Sequence, residues 1–463
     1  MNPDRLLTAS LRALPHGPAL ARVLAAALDA VEPGAAVRRF LQRDGDRLTV
    51  AGQRYDLAQI DRVLLVGAGK AGAPMARAAA ELLGDRLAGG VVVVKDGHAA
   101  APTTSGETSS MHHGSLSIVE ASHPVPDARG VAATERIAAL LAGTTGRDLV
   151  IALISGGGSA LLTAPAPGIS LDDLQELTRL VLACGASIDE INTLRKHLDG
   201  VKGGGLARMA APARLVTLVL SDVVGDPLDV IASGPTVPDR STFAEALAVL
   251  EHRGLLERAP APVVERLRRG AAGALAETPK PGDPLFERVQ NVIIGSNRQA
   301  ALAALAQAER EGWRGLLLTT FLQGEARAAG RKLAASAREI VASGHPLVPP
   351  ALVVAGGETT VTLRGDGTGG RNQEAALAAV GDMAGLPGAT LVTLATDGGD
   401  GPTDAAGAVV TGETFARAQA LGLDPAAQLA RNDAYPFFDA LGDLLRPGPT
   451  QTNVNDLAFV LVT

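Results

Sequence analysis

Short apolar runs that end in glycine-rich turns constrain this chain more than any other feature of its sequence. Most of those in the first half lead into alanine-rich helical stretches, and the runs are residues 63–66, 91–94, 149–154 and 215–220. Continuous apolar strands that alternate with helices are typical of a parallel sheet covered on both faces. The pattern predicts an α/β fold with a Rossmann-like, doubly wound parallel sheet, whose ligands collect at the carboxyl ends of the strands.

The second half carries another series of such runs, at residues 291–294, 316–319, 351–354, 391–395 and 457–462. Residues 359–363 alternate directly after a glycine turn and predict a hairpin, which would make the second sheet mixed. The stretch between the two series is rich in Ala, Arg, Leu and Pro, which predicts helical connecting structure. We expect two α/β domains with a cleft between them: a Rossmann-like N-terminal domain at 1–240, a helical connecting segment at 241–284 and a smaller C-terminal domain at 285–463.

Composition excludes several classes of protein. The 463 residues include 42 Lys and Arg against 49 Asp and Glu, and the net charge of −7 disfavours a nucleic-acid-binding surface. A single cysteine excludes a disulfide framework, and no run of about 18 apolar residues predicts a membrane span. The N-terminal stretch reads as an amphipathic helix that lacks the apolar segment of a signal peptide. We expect a cytoplasmic protein with small-molecule partners, without nucleic acid or membrane.

The sequence GAGKAG at residues 67–72 follows a predicted strand and opens a predicted helix. It matches G-x-G-x-x-G in the context that a dinucleotide-binding loop requires, and Asp96 fits the acidic partner of a ribose. Lys70 favours a different ligand, because an ammonium group beside the N–H groups of a helix N-terminus suits a reacting phosphoryl group or an anionic substrate. We assign Gly67, Gly69 and Lys70 to a phosphate loop. A tight turn with a solvated lysine is the alternative.

A second glycine loop, SGGGS, follows another apolar strand. Three successive glycines let the backbone approach a ligand closely, and the two serines add hydroxyl donors. A serine hydrolase would need the G-x-S-x-G elbow, which this loop lacks. An anion cradle is therefore favoured over a nucleophile, and its residues form a predicted anion-binding set with the first loop: Ser155, Gly156, Gly157, Gly158 and Ser159.

Basic residues gather before a third glycine turn, where Arg195 and His197 precede Lys202. A charged helix end followed by a glycine cap explains Arg195 and His197 equally well. Lys202 is favoured as an anion contact, and we add it to the anion-binding set.

Histidines give a weaker signal. His123, in the sequence SHPVPD, could contact substrate, although a histidine before proline is more often an ordinary loop residue. His112 and His113 lie in residues 103–113, where Ser, Thr and Gly predict a mobile surface loop.

Two carboxylates, Asp222 and Asp226, follow the fourth apolar run in the sequence SDVVGD. Mg²⁺ takes oxygen ligands from carboxylates and phosphates, so acidic residues at a strand end beside phosphate loops predict a magnesium site. The alternative is an aspartate that caps the next turn.

Glycine turns with charged residues also occur in the second half. Gly356 and Glu358 end one strand. Arg371, in GGRNQE, stands at the start of a predicted helix, where the helix dipole disfavours a cation. Its position predicts a bound anion that the arginine and the helix both serve.

The loop TDGGDGPTD places Asp397, Asp400 and Asp404 after a buried strand. Its spacing differs from that of an EF-hand, so calcium is not supported. A metal ligand or a general base is favoured for Asp397, the first carboxylate after the strand, and an Asp-Gly turn is the alternative. Asp400 and Asp404 are weaker candidates.

Ten motifs in a fixed order identify a family. They span residues 67 to 456 and read, in chain order, GAGKAG, EASHPVPD, SGGGSALL, RKHLDGVKGGGLA, SDVVGD, IASGPT, GGETTV, GGRNQE, TDGGDGPTDAAGA and TNVND. The chain resembles the class II glycerate kinases, whose C-terminal part is called the MOFRL domain. The resemblance implies ATP- and Mg²⁺-dependent phosphorylation of D-glycerate to 2-phosphoglycerate, so we assign the anion-binding set, together with Gly356 and Glu358, to ATP. It also implies a Rossmann-like N-terminal domain, a smaller α/β C-terminal domain and an active site between them.

The resemblance implies roles for individual residues. The lysine of the family's first glycine loop falls on Lys70, the arginine of GGRNQE on Arg371 and the aspartate of TDGxDG on Asp397; these are the predicted catalytic residues. Arg371 would hold the substrate carboxylate, Asp397 would accept the hydroxyl proton or hold Mg²⁺, and Lys70 would stabilise the transferring phosphoryl group. The chain departs from the family pattern at Gln451, where a glycine is usual, and at Gly72, where a serine is usual.

Two alternatives stay open. A hydroxypyruvate reductase that uses NAD(P)H rests on the G-x-G-x-x-G match alone, and it leaves Arg371 and the TDGGDG loop without a role. A catalytically idle binding protein is disfavoured by the retained Lys70, Arg371 and Asp397. The sequence leaves homo-oligomerisation and the preference among hydroxy acids open.

Overall fold

The computed structural model describes residues 1–99 and 116–463, so the predicted loop at 103–113, with His112 and His113, lies outside the described residues. The strands are β1 (Leu41–Asp44), β2 (Arg47–Val50), β3 (Gln53–Asp56), β4 (Arg62–Ala68), β5 (Leu87–Lys95), β6 (Leu116–Ala121), β7 (Asp148–Ser155), β8 (Arg214–Leu220), β9 (Val289–Gly295), β10 (Arg314–Leu322), β11 (Ala351–Gly357), β12 (Ala389–Ala395), β13 (Gly407–Thr411), β14 (Leu444–Leu445) and β15 (Asp456–Val462).

The α-helices are α1 (Ala9–Ala13), α2 (Gly17–Ala30), α3 (Pro33–Phe40), α4 (Gly72–Leu83), α5 (Ala128–Leu141), α6 (Gly158–Leu161), α7 (Leu171–Ala183), α8 (Ile188–Leu198), α9 (Gly205–Ala210), α10 (Phe243–His252), α11 (Ala261–Ala271), α12 (Asn297–Arg310), α13 (Ala326–Ser343), α14 (Arg371–Met383), α15 (Thr414–Ala420), α16 (Pro425–Ala430) and α17 (Ala434–Leu441). Short 3₁₀ helices lie at Pro3–Leu6, Leu57–Gln59, Gly84–Arg86, Ile231–Ser233 and Pro284–Arg288.

The chain divides into two compact units. The central unit is Pro33–Ile294, and its larger sheet has the strand order β6-β5-β4-β7-β8-β9. The composite unit joins Met1–Glu32 to Gly295–Thr463, and its sheet has the order β10-β11-β15-β12-β13-β14. Each unit thus has a sheet of its own.

The central sheet confirms the predicted doubly wound α/β architecture. Strands β4, β5, β7 and β8 contain the four apolar runs, and β4 pairs in parallel with β5 and β7. β6 and β8 extend the parallel array on either side. Because the strands are parallel, the loops after β4, β5, β6, β7 and β8 all leave from the same edge of the sheet.

The strand β9 lies in a different sheet from the one expected. Residues 291–294 were assigned to the second series of strands, but β9 lies beside β8 at the edge of the central sheet. An apolar run predicts a strand, but the sheet to which that strand belongs depends on contacts that the run does not encode.

The predicted connecting segment is helical and belongs to a packed layer of the central unit. Helices α10 and α11 share a buried apolar cluster with α7 and α8, through Phe243, Leu250 and Leu267. The unit also contains a small antiparallel sheet, β1-β2-β3, that the sequence reading did not anticipate.

The composite sheet is mixed, as expected, although for a different reason. β10 pairs in parallel with β11, whereas β15 inserts antiparallel between β11 and β12. The expected hairpin at residues 359–363 does not form; Thr360 makes only an isolated bridge to Glu325. The antiparallel pairing comes instead from β15 and from the pairs β12–β13 and β13–β14.

The N-terminal residues pack with the C-terminal third of the chain. The expected single amphipathic helix is broken into α1 and α2, and α2 packs on α12. The Thr452 hydroxyl donates to the Val31 carbonyl at 2.6 Å, and the Ser10 amide donates to Asp443 at 2.8 Å. The structure therefore groups residues 1–32 with residues beyond 294, whereas the sequence-based boundary grouped them with residues up to 240.

Both cores are aliphatic, as the aromatic content of 2% requires. In the central unit, Val, Leu, Ile and Ala of β4, β5 and β7 pack against α5 and α9. In the composite unit, α13 and α14 cover one cluster of the mixed sheet. None of the described helices is both long enough and apolar enough to span a bilayer.

Candidate active site

The two glycine loops of the central unit interlock at the carboxyl end of the sheet. The Lys70 amide donates to the Gly156 carbonyl at 2.8 Å, and the Ala71 amide donates to Ser155 Oγ at 3.1 Å. Gly69 has a φ of +141°, and a Cβ there would lie 2.1 Å from Ser155 Oγ. Glycine at this position lets the loops approach one another, which joins the two predicted phosphate loops into one structure.

The glycines of these loops have distinct structural reasons. A Cβ on Gly67 would lie 2.2 Å from the Leu153 carbonyl, so this residue permits close packing of β4 against β7. Gly157 has a φ of +84° and precedes α6, whose first turn carries Gly158 and Ser159. The second loop thus has the positive φ that its glycine run predicted.

The surface around Gly157 is rich in positive charge. A Cβ on Gly157 would lie 2.9 Å from the His123 ring and 3.4 Å from Lys70 Cγ, so both side chains border the loop. Burial lowers the pKa of His123 to about 4, and the charges of Lys70, Lys95, His98 and Arg195 contribute to the same shift. His123 is therefore neutral near pH 7, at the centre of a group of basic side chains.

A hydroxyl network links the second loop to α8. The Oγ atoms of Ser159 and Ser233 lie 2.9 Å apart, and Ser233 donates to Asn192 Oδ1 at 2.9 Å. Ser233 and the adjacent Ala232 have positive φ values of +60° and +49°, in the left-handed region that non-glycine residues seldom occupy. Sequence reasoning missed Asn192, because no local pattern shows that it meets a loop more than 30 residues away.

Asp222 lies against the second glycine loop. A Cβ on Gly156 would lie 1.9 Å from Asp222 Oδ2, so the carboxylate lies directly over the glycine backbone. Asp226 follows in the same segment with a φ of +56°. The structure thus places Asp222 beside the second glycine loop, whose Gly156 carbonyl accepts from the Lys70 amide, and a magnesium site at Asp222 and Asp226 stays a prediction.

Lys202 has a structural partner. Its side chain is 3% exposed, and its ammonium group donates to Asp199 at 2.7 Å and to the Leu162 carbonyl at 2.9 Å. Burial lowers the pKa of Lys202, and the charge of Asp199 opposes that shift. This geometry favours an internal ion pair over the predicted ATP contact.

The acidic residue required by the dinucleotide alternative is also engaged. Both oxygens of Asp96 accept from Arg129, at 2.7 and 2.8 Å. The same guanidinium group bonds to Asp127, the N-cap of α5. Asp96 thus anchors the start of a helix, which weakens its interpretation as a ribose ligand.

In the composite unit, Arg371 stands at the first position of α14, as predicted. Its guanidinium group bonds to Asp456 at 2.5 and 3.2 Å and to Glu358 at 2.9 Å. Burial raises the pKa of Asp456, and the ion pair with Arg371 opposes that shift. The anion expected beside this arginine is thus supplied by carboxylates of the chain itself.

The N-terminus of α14 also binds an internal carboxylate. Asp400 accepts from the amides of Asn372 and Gln373, at 3.1 and 2.9 Å. Burial raises the pKa of Asp400 to about 6, although these amide hydrogen bonds oppose the shift. Asp400 is therefore a cap for α14, which agrees with its weaker standing as a catalytic candidate.

The other two carboxylates of this loop are exposed. Asp404 bonds to the Tyr435 hydroxyl at 2.8 Å and to Arg446 at 3.3 Å. Within the described part of the chain, the Asp397 carboxylate accepts a hydrogen bond only from the Gly399 amide, at 3.2 Å. Of the three, Asp397 is the one that is both exposed and close enough to Asp456 to raise the pKa of that residue.

An open pocket of about 620 Å³ lies in the composite unit. Glu358 and Arg371 line it together with Gln323, Leu363 and Asn432. This volume is in the range of small-molecule sites. Gly356, by contrast, lies against Asn297, whose Oδ1 would be 1.8 Å from a Cβ at that position, so packing explains this glycine.

Gln451, which stands where the family usually has glycine, adopts a backbone conformation that favours glycine. Gln451 adopts a φ of +64°, which is the backbone region that glycine occupies at little cost. A glycine is therefore the natural residue for this turn, and the structure retains the turn with glutamine in its place.

Comparison with known proteins agrees with the order of motifs. Residues 19–268 match the family described as "Domain of unknown function (DUF4147)", and residues 351–456 match the MOFRL family. A D-glycerate 2-kinase of Thermotoga maritima is 45% identical over 87% of this chain and 91% of its own. The chain belongs to the glycerate 2-kinase family.

One solved structure bears on the fold, and one further relative bears on the alternative activity. A crystal structure of a Thermotoga maritima glycerate kinase matches with a TM-score of 0.83 and 41% identity, over 96% of this chain and 98% of that one. An Agrobacterium vitis relative, 42% identical over 87% of both chains, bears the provisional name hydroxypyruvate reductase. The α/β architecture is thus the one found in glycerate kinases.

Proposed function

We propose that this protein is a D-glycerate 2-kinase, which transfers the γ-phosphoryl group of ATP to the 2-hydroxyl group of D-glycerate. The observation that carries the proposal is the interlocked pair of glycine loops, with Lys70 in the first, in a chain of this family. Phosphoryl transfer depends mainly on positioning and electrostatic stabilisation, for which amide-rich loops and a lysine are suitable. We further propose that it acts in the cytoplasm; homo-oligomerisation stays open.

Lys70 and the loop of Ser155 and Ser159 are the proposed contacts of the transferring phosphoryl group. The Lys70 backbone is fixed on both sides, because its amide donates to Gly156 and its carbonyl bonds to His98 Nδ1 at 2.9 Å. A side chain that starts from a fixed backbone places its ammonium group with little loss of conformational entropy on binding. Lys70 would then neutralise charge that develops on the phosphoryl oxygens.

Asp222 and Asp226 are the proposed residues that hold Mg²⁺, and Asp397 is the candidate in the composite unit. No group of three or more His, Cys, Asp or Glu able to hold a metal occurs in residues 1–99 and 116–463. Mg²⁺ often binds through one or two carboxylates, with phosphate and water completing its shell, so this donor set fits it. When bound, the ion would neutralise negative charge on the phosphate groups of ATP.

Asp397 and Arg371 are the proposed catalytic residues of the composite unit. The exposed Asp397 carboxylate would accept the proton that the 2-hydroxyl group releases. Arg371 lines the pocket of about 620 Å³ with Glu358, and its two ion pairs hold the guanidinium group in place. We propose that Arg371, whose charge Asp456 and Glu358 already compensate, donates a hydrogen bond to a ligand at this pocket.

The test is ³¹P NMR of the purified protein with ATP, Mg²⁺ and D-glycerate. We expect a 2-phosphoglycerate resonance from the wild type, and initial rates lowered on the order of 100-fold or more in Lys70→Ala and Asp397→Asn. Lys332→Ala and Asp404→Asn are matched controls, since Lys332 is exposed on α13 and Asp404 bonds to Tyr435 and Arg446. Absence of any phosphorylated glycerate from the wild type would reject the kinase proposal.

A further inference from the structure

Arg195 lies on α8, the helix whose Asn192 is linked through Ser233 to Ser159 of the second glycine loop. Its charge, like that of Lys70, lowers the pKa of His123, the residue that borders Gly157. The inference that follows rests on the proposed function, because it identifies the residue that selects the substrate of that reaction. The sequence alone left Arg195 undecided between a helix end and an anion contact.

Arg195 is half-buried, and among the described residues it lacks the carboxylate partner that a desolvated guanidinium group normally has. No Asp or Glu oxygen lies within 4.0 Å of it in the part of the chain that the structure describes. The carboxylate whose charge acts on it is Asp199, which already accepts from Lys202 at 2.7 Å and from the Val201 amide at 2.9 Å. Burial lowers the pKa of Arg195, so its surroundings are poor in compensating charge.

A buried amide on the same helix also lacks a partner. Asn192 is 3% exposed, and its Nδ2 has no hydrogen-bond partner among the described residues. Its Oδ1 accepts from Ser233, which leads to Ser159 of the glycine loop. Asn192 and Arg195 are three residues apart on α8 and so lie on one face. Two unpaired donor groups on one face, beside a cationic loop, form the donor set of an anion site.

We propose that Arg195 and Asn192 bind the carboxylate of D-glycerate, so that the central unit selects 2-hydroxycarboxylic acids. A guanidinium group presents a rigid fork of N–H donors that matches a carboxylate in two hydrogen bonds. Lys70 and the loop amides form a separate set suited to phosphoryl oxygens. Arg371 is a weaker candidate for the carboxylate, because Asp456 and Glu358 already compensate its charge.

The test compares Michaelis constants for Arg195→Gln, Arg195→Lys and the exposed-arginine control Arg208→Gln. Loss of a charge-assisted pair predicts a KM for D-glycerate raised on the order of 100-fold in Arg195→Gln. The KM for ATP should change less than about twofold, and Arg195→Lys should recover part of the loss because it restores the charge. Arg208→Gln should resemble the wild type.

Other outcomes overturn the assignment. A raised KM for ATP with an unchanged KM for D-glycerate would assign Arg195 to a phosphate of the nucleotide. Unchanged values for both substrates would remove Arg195 from the site altogether. If Arg195→Gln does not fold, Asn192→Asp provides the second test. This change keeps the acceptor for Ser233 but places a carboxylate where the Nδ2 donor stood, so the KM for D-glycerate should rise sharply.

Calorimetric binding separates the inference from the proposed function. D-Glycerate and glycerol, which lacks the carboxylate, are titrated into the wild type and Arg195→Gln, with and without Mg²⁺ and a non-hydrolysable ATP analogue. We expect the wild type to bind D-glycerate and not glycerol, and the variant to lose that binding. Binding without phosphoryl transfer would reject the kinase and retain the carboxylate site. Equal binding by both proteins, or none by the wild type, would reject the carboxylate site.

Discussion

Arg195 of the central unit and Arg371 of the composite unit differ in whether nearby carboxylates of the protein neutralise the guanidinium charge. Arg371 bonds to Asp456 and Glu358, and its helix N-terminus is capped by Asp400. Arg195 stands among other basic side chains, with no carboxylate within 4.0 Å in the described part of the chain. One arginine is neutralised by the fold, and the other is left for a ligand to neutralise.

The difference shows why a charged motif residue is a poor guide to its own role. Arg371 lies in a more recognisable motif, but removing it would leave the buried Asp456 without its counter-ion. Removing Arg195 would leave no carboxylate unpaired, because Asp199 keeps Lys202. Compensation by neighbours, rather than motif strength, separates a contribution to stability from a contribution to binding.

The largest expected effect tests that separation directly. Arg371→Ala should lower the free energy of unfolding by about 3 kcal/mol, because it leaves a buried carboxylate uncompensated. Arg195→Gln should change the same quantity by less than about 1 kcal/mol, because no ion pair is lost. Urea denaturation of the two variants and the wild type measures both values.

A double variant provides the control for the Arg371 effect. Arg371→Ala combined with Asp456→Asn should recover part of the lost stability, because the uncompensated charge is gone. Equal destabilisation by Arg371→Ala and Arg195→Gln would contradict the contrast between the two regions.

A smaller effect is expected from the glycine that lets the two loops meet. Gly69→Ala should lower the free energy of unfolding by about 2 kcal/mol, because its Cβ would lie 2.1 Å from Ser155 Oγ at a φ of +141°. Gly97→Ala is the matched control, since Gly97 has a φ of +80° with no atom within 4 Å of the added Cβ. It should cost only about 1 kcal/mol. If the two substitutions cost the same, contact between the loops is not what requires glycine.

The smallest expected effect is a titration. The pKa of His123, about 4, should rise in Lys70→Ala, because one of the charges that disfavour imidazolium is removed. NMR of the His123 ring between pH 3 and 8 measures this, with Lys332→Ala as the exposed control. No movement of the His123 resonance in Lys70→Ala would show that the basic cluster is more dispersed than its geometry indicates.

The same pKa fixes the sign of a pH effect on stability. Because the folded pKa of His123 lies below the ordinary value of 6.5, the unfolded chain binds the proton first as the pH falls. His123 therefore favours folding above about pH 6.5, and this contribution is lost as the pH falls towards about 4. His123→Gln should therefore reduce the slope of the free energy of unfolding against pH between about pH 4 and 6.5.

Much of the fold was predictable, because the buried strands of a parallel sheet have continuous apolar sequences. The runs at β4, β5, β7 and β8 each gave a strand of the central sheet. The location of β9 beside β8, and the insertion of β15 between β11 and β12, were not predictable in this way. Strand order depends on pairing energies summed over the whole chain, and no local pattern contains them.

The candidate site was likewise predictable from the sequence only in part. The spacing of glycines predicted the Lys70 loop and the Ser155 loop, because backbones that approach one another closely leave no room for a Cβ atom. The partners of Lys202, Asp96 and Arg371 could not be foreseen, because each carboxylate comes from another element. Asn192 gave no signal at all, because the absence of a partner is visible only in three dimensions.

The division of the composite unit has a consequence for how the chain is made. Residues 33–294 are continuous and can fold as they leave the ribosome, whereas α2 must wait for α12, which begins at Asn297. Until then the buried face of α2, with Leu20, Val23 and Leu24, lacks the cover that α12 provides. Vectorial synthesis thus leaves α2 incompletely packed until α12 has been made.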